Sequence, residues 1–125
     1  MAEKFERPAL HIPELRSRAE TEHEINSTDP DRVHYGLIDS SYHEDAAWVQ
    51  ERCLERLNST NALVRSGALM ALQILTAVRR EIDPTVVVPA VEILRHDPDS
   101  RVAESATDVL QDIKNFYRQS SADGR

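Results

Sequence analysis

An internal repeat is the feature that most constrains what this 125-residue chain can fold into. Apolar residues from the middle of the chain recur either 37 or 38 residues later. The matched pairs are Val49 with Val86, Leu54 with Val91, Leu57 with Leu94, Val64 with Val102, Ala68 with Ala106, and Leu72 with Leu110. Such a period is typical of arrays in which successive helix pairs bury their apolar faces on one another. The sequence therefore predicts a short α-solenoid.

Capping signals place the predicted helices along the chain. Asp29-Pro30 and Asp83-Pro84 each put an N-cap residue before a proline at the first helical position, and Asn61 is the predicted cap of the central helix. The predicted helices cover about 30–41, 44–57, 62–80, 84–95 and 100–117, with a weaker helix over 14–25. The fold class is therefore all-α, with about five to six helices.

The domain organisation follows from these helices. Two helix pairs are clear, and Asp29–Val33 echoes Asp97–Val102, which indicates a degenerate N-terminal unit before them. We expect an N-terminal arm over 1–13, a single helical domain over 14–117 and a loose, polar tail over 118–125.

The central helix is apolar on nearly all sides. One apolar stripe contains residues 64, 68, 71, 72, 75 and 78, and a second contains residues 63, 67, 70, 74 and 77. We expect both stripes to be covered, with Gly67 allowing a neighbouring helix to approach closely. In the last helix, the second stripe is replaced by Arg101, Ser105, Asp108 and Asp112, which predicts a polar face that ends the array.

The central unit also resembles a known repeat family. Asn61-Ala62-Leu63-Val64-Arg65, followed by Ala68 and Leu72, resembles the HEAT-repeat signature, and Pro89 lies where that family bends its first helix. The resemblance covers 45–117 and implies a short HEAT-like α-solenoid. Ala103 stands at the position of Arg65 in the last unit, so the stacked arginine interaction that the resemblance implies does not extend there.

Charge and cysteine content narrow the function classes. The formal charge is −7, which repels nucleic acid and attracts basic proteins, although a merely soluble surface has the same excess. Cys53 is the single cysteine, so no internal disulfide can form. We see no signal peptide, and the apolar stretch Leu69–Val78 is too short to cross a bilayer. We therefore expect a cytoplasmic protein that binds neither membranes nor nucleic acid.

The residues that could carry catalysis do not form a recognisable site in the sequence. The five histidines are scattered, and the spacing of Glu20 and His23 matches only one of the two pairs that a di-iron bundle needs. Cys53 lies on the apolar face of its helix, where a buried and inert thiol is the ordinary outcome. We therefore expect no enzymatic activity, no cofactor and no metal.

Two surfaces remain as candidates for binding a partner. The first surrounds Trp48, an aromatic anchor among acids, unless Trp48 packs against the degenerate first unit. The second is a ridge of the central helix, made of residues 66, 69, 73, 76 and 80, which is otherwise a solvated face. The candidate partner-binding residues are Asp39, Tyr42, Glu44, Asp45, Trp48, Glu51, Gln73 and Arg80.

Over its whole length the chain resembles small bacterial HEAT-like immunity proteins of polymorphic toxin systems. The resemblance lies in Tyr35-Gly36-Leu37-Ile38-Asp39, Trp48-Val49-Gln50, Cys53-Leu54 and the stretch 108–113. It implies a protein-binding module that neutralises a cognate, basic toxin domain. The second possibility is a general HEAT-repeat adaptor or scaffold. The third is a HEAT-like enzyme: a lyase would need an accessible thiol, and a glycosylase would need a basic surface.

Overall fold

The computed structural model describes residues 12–123, with side chains up to residue 118. All regular structure in this part of the chain is helical, which confirms the all-α class. The six helices are α1 (Arg18–Ile25), α2 (Pro30–Ser41), α3 (Ala46–Arg56), α4 (Ala62–Ile74), α5 (Pro84–Ile93) and α6 (Ser100–Asp123). A π-helical turn, Leu75–Arg79, extends α4, and a 3-10 turn, Leu94–His96, extends α5. The predicted arm over 1–13 lies almost wholly outside the described residues.

The helices form three successive pairs, α1 with α2, α3 with α4, and α5 with α6. The second helices of the pairs, α2, α4 and α6, lie side by side in that order. α4 is central and packs against α2, α3 and α6. His34 of α2 contacts the start of α4, and Ser41 at the end of α2 contacts Arg79, so these two helices run in the same direction. The arrangement is a short, solenoid-like stack. The degenerate first unit predicted from the sequence corresponds to the pair α1 and α2.

The core is one continuous cluster that all six helices supply. Its fully enclosed side chains include Leu37, Val49, Leu72, Val91 and Val109. Each such side chain contributes about 1.5–3 kcal/mol relative to leaving it in water. Cys53 is also fully buried, as predicted, and burial raises the pKa of its thiol. A thiol held neutral in this way is a poor nucleophile.

The predicted caps are confirmed. The side chains of Asp29, Asn61 and Asp83 each accept a hydrogen bond from a backbone N–H two residues on, at 2.9–3.1 Å. Ser17 caps α1 by accepting a hydrogen bond from the Glu20 N–H, and the Glu20 carboxylate accepts one from the Ser17 N–H, which completes a capping box. These hydrogen bonds lower the pKa of Glu20. Glu20 therefore takes part in capping α1. No group of three or more potential metal ligands occurs among residues 12–118.

The ends of the central helix and the last helix differ in geometry or position from their predicted ends. The central helix ends at Arg80 as expected, but through a π turn in which Arg80 adopts a left-handed backbone with φ of 59°. The last helix was predicted to end at Tyr117, and its backbone continues to Asp123. The extension is possible because no proline or glycine interrupts the chain before Gly124, and the looseness of the tail stays a prediction. Pro89 lies inside α5, and the bend expected there stays a prediction.

Gly67 lies at the closest approach between two helices, as its position in the second stripe predicted. A Cβ atom on Gly67 would lie 2.9 Å from the His34 Cα atom and 3.1 Å from its carbonyl oxygen. The His34 ring also contacts the Leu63 carbonyl, with Nδ1 at 2.9 Å from the oxygen. Only glycine allows α2 and α4 to lie this close together.

The segment Ala62–Arg79 meets the length and composition expected of a membrane-spanning helix, with a mean hydropathy of 1.3. Less than half of it, 44%, is buried. A core helix of a soluble protein meets the same criterion. Here the segment is the helix against which three others pack, so its apolar character has a structural explanation.

Candidate functional site

The acids predicted to bind a partner near Trp48 are largely engaged with arginines of this chain. We call Asp39, Glu44, Asp45, Trp48 and Glu51 the acidic corner; it joins the end of α2 to α3. Asp39 is 3% exposed, and its Oδ2 atom accepts a hydrogen bond from the Arg16 guanidinium at 3.3 Å. Its prediction as a contact residue is therefore wrong, because a carboxylate this deeply buried anchors the segment before α1 instead.

Trp48 is half-buried between two arginines. The Arg18 guanidinium lies 4.2 Å from the centre of the Trp48 ring, and the Arg52 guanidinium lies 5.6 Å from it. Arg18 also donates a hydrogen bond to Glu44 at 2.9 Å, so one side chain links α1 to two residues of the corner. Trp48 thus packs on the first unit, which was one of the two predicted alternatives, while part of its surface stays accessible.

The remaining members of the corner are closer to solvent. Asp45 caps α3 by accepting a hydrogen bond from the Trp48 N–H at 3.0 Å. Glu51 is exposed and pairs with Arg52 at 3.1 Å, and Tyr42 is exposed at the end of α2. Asp45, Trp48 and Glu51 line an open cleft of about 520 Å³ whose floor includes Val86. This cleft combines apolar lining residues with two acids that are already engaged, Asp45 by capping α3 and Glu51 by pairing with Arg52.

The ridge predicted to meet a ligand is instead a packing surface. Leu69 and Thr76 are buried, and the Thr76 hydroxyl donates to the Leu72 carbonyl at 2.8 Å. Gln73 donates from Nε2 to an Asp112 oxygen at 2.9 Å. The ridge therefore joins α4 to α6, and the solvated face predicted as its alternative is also wrong for the buried positions. Polar residues whose hydrogen bonds are satisfied inside the protein imitate an exposed face in a sequence.

Arg80, the last member of the ridge, also faces α6. Its guanidinium lies 5.1 Å from the centre of the Phe116 ring. Gln73 and Arg80 are thus brought together with α6, and they are separated from the acidic corner at the other side of α4. The eight predicted residues do not form a single site.

The second apolar stripe of α4 was expected to be covered, but most of its residues are accessible to solvent. Leu63 and Met70 are 38% and 40% exposed, Ala77 is exposed and Ile74 is half-buried. We call these four residues the open face of α4. Only Gly67, in the same stripe, is fully covered, because α2 crosses at that point. The prediction that α4 is covered on both stripes is therefore wrong.

A pair of charges ties the central unit to the last one. Arg65 donates from Nε and Nη2 to both carboxylate oxygens of Asp97, each at 2.9 Å. Its third nitrogen donates to the Ser59 carbonyl at 2.9 Å. The hydrogen bonds from Arg65 hold the pKa of Asp97 below its ordinary value, against the opposing effect of burial. This partner of Arg65 was missed in the sequence, although the arginine itself stood in the repeat signature.

Comparisons with known proteins identify a fold relative and no family. No family model matches the chain, and no curated protein matches it. Among solved structures, the chain is similar to one in the crystal structure of a CDI complex from Cupriavidus taiwanensis LMG 19424. The TM-score is 0.72 at 23% identity, over 86% of this chain and 96% of the other. The two chains therefore share a fold over nearly their whole lengths.

Proposed function

We propose that this protein is an immunity protein that binds a toxin domain and neutralises it. The observation that carries the proposal is the shared fold with a chain of a CDI, or contact-dependent inhibition, complex. The match covers 86% of this chain and 96% of that chain, so the shared fold extends over most of both chains. Since a fold supports more than one function, the binding surface supplies the second part of the argument.

The surface chemistry supports a protein as the partner. Trp48, Tyr42 and Met70 are all at least partly exposed, and aromatic residues and methionine are enriched at protein interfaces. The net charge of −7 favours a basic partner and disfavours a phosphate backbone. We propose that the partner is a basic toxin domain and that it is met in the cytoplasm, without catalysis by this chain.

Co-expression tests the proposal. A toxin domain encoded beside this chain is expected to arrest growth when it is produced alone. Growth should recover when this chain is produced with it, and the two proteins should co-purify as a complex of fixed stoichiometry. A variant carrying Val87→Asp, which places a charge in the core, is the control that should fail to protect. Toxicity that persists beside folded wild-type protein, with no complex formed, contradicts the proposal.

A further inference from the structure

Among the residues that the structure describes, one apolar side of α4 has no cover. α4 is apolar on nearly all sides, and a helix of this kind is ordinarily enclosed. Leu63, Met70, Ile74 and Ala77 lie on one side of α4 and its π-helical extension, at spacings of seven, four and three residues, and form the open face. None of the helices that pack on α4 encloses this line of side chains.

The borders of the open face differ in chemistry. Towards α2, His34 donates from Nδ1 to the Leu63 carbonyl oxygen, and its ring meets the Tyr35 ring edge-on at 4.8 Å between centroids. Tyr35 is itself 39% exposed, so the apolar surface continues onto α2. Towards α6, Gln73 contacts Asp112, and Asp108 lies exposed one turn earlier on the same helix. The surface therefore changes from apolar and aromatic to acidic.

From this arrangement we propose that the open face of α4 is where the toxin domain binds. The inference rests on the proposed function and names the surface that carries it out. The partner it fits has an apolar patch that covers Leu63 and Met70. Lysine or arginine beside that patch would lie opposite Asp108 and Asp112 on α6, because opposite charges at the edge of an apolar contact direct the orientation of binding.

Two alternatives are less favourable. In one, the toxin domain binds at the acidic corner; in the other, a second copy of this chain covers the open face. At the corner, Glu44 and Glu51 already pair with Arg18 and Arg52, so a basic partner gains little there. Two copies of this chain would each carry a net charge of −7, and their repulsion opposes association. A basic partner that binds at the open face has neither disadvantage.

Charge introduced into the open face tests the inference. The variant Met70→Glu is compared with Ile93→Glu, which places the same charge on an exposed apolar residue of α5. Binding to the purified toxin domain is measured by calorimetry, after circular dichroism and urea unfolding have shown that each variant is folded. We expect Met70→Glu to weaken binding by about 30-fold or more, the effect of losing an interface hot spot, and Ile93→Glu to leave it within about twofold. Leu63→Glu serves as a second variant if Met70→Glu is unfolded.

The outcomes separate this inference from the proposed function. Wild-type protein that binds the toxin domain, together with an equally active Met70→Glu variant, overturns the open face as the binding surface and leaves the immunity function standing. Wild-type protein that does not bind the toxin domain overturns both. A concentration-dependent dimer in sedimentation, abolished by Met70→Glu while toxin binding persists, assigns the face to a second copy and overturns the inference.

Discussion

Arginine side chains hold the turns of this protein to its helices. Arg56 donates to the Ile25 carbonyl at 3.2 Å, and Arg79 donates to the carbonyls of Ser41 and Glu44 at 3.1 and 2.6 Å. The planar guanidinium group, with five donors, suits such multiple contacts better than a lysine ammonium would. Since these donors are directed inward, much of the positive charge is used inside the molecule, and the accessible surface is correspondingly acidic.

At the scale of single residues, Gly67 carries the sharpest stability prediction. Gly67→Ala gains helix propensity worth about 1 kcal/mol, but its Cβ atom would meet the backbone of α2 at 2.9 Å. Because backbone atoms cannot move aside as a flexible side chain can, we expect a net loss of about 1–3 kcal/mol in the free energy of unfolding. Urea denaturation followed by circular dichroism measures it.

The matched control is Gly36→Ala. Its Cβ atom would meet the Glu24 Cβ atom at 3.1 Å, a longer contact than the one at Gly67, which a slight shift of α1 relieves. We expect this variant to be more stable than Gly67→Ala. A Gly67→Ala variant as stable as the wild type would mean that α2 can shift without cost.

At the scale of helices, the sequence predicted where elements begin better than it predicted what covers them. Caps such as Asn61 are local, because the side chain bonds to backbone two residues away. The covering of α4 depends on where α2 and α6 lie, and a helical wheel contains no such information. Thr76 and Gln73 made the wrong side look exposed, since their hydrogen-bond partners lie within α4 and on α6.

The attachment of α4 to the turn before α6 predicts a dependence of stability on pH. The pKa of Asp97 is lowered from 3.8 in the folded protein by its hydrogen bonds with Arg65. The unfolded chain therefore takes up a proton before the folded one does, and stability contributed by this carboxylate is present above about pH 4. It is lost as the pH falls through the lower, folded value.

The variant Asp97→Asn removes that contribution. We expect it to be less stable than the wild type at pH 7, with the difference narrowing as the pH falls below about 4. The difference in stability is measured from urea unfolding midpoints at roughly pH 7, 5, 4 and 3. Glu92→Gln is the control, because Glu92 and Arg95 form an exposed pair expected to contribute little. A constant difference between Asp97→Asn and wild type at every pH contradicts the explanation.

At the scale of the whole molecule, the candidate site was less predictable than the fold. Trp48 was identified because tryptophan among acids is conspicuous in a sequence. The arginines that neutralise those acids include Arg16 and Arg18, which precede or begin α1 and are 23 and 26 residues from their partners. The open face was visible as a stripe, but its exposure depends on the spacing between helices. Long-range pairing and packing are the information that composition and periodicity lack.

The net charge of the chain predicts how it meets a basic toxin domain. The formal charge is −7, so a field of negative potential surrounds the protein. Such a field accelerates the encounter with a basic partner, and dissolved salt screens it, whereas the apolar contact at the open face is insensitive to screening. We therefore expect added salt to lower the association rate constant and to change the dissociation rate constant little. Stopped-flow measurements of the two rate constants from low to high salt test this. Asp108→Lys should slow association at low salt more than Glu92→Lys does, because the two variants change the net charge equally, and Asp108 lies one turn from Asp112, which contacts Gln73 of α4, whereas Glu92 lies on α5. Equal effects of the two substitutions would show that total charge alone, rather than its position on α6, directs the encounter.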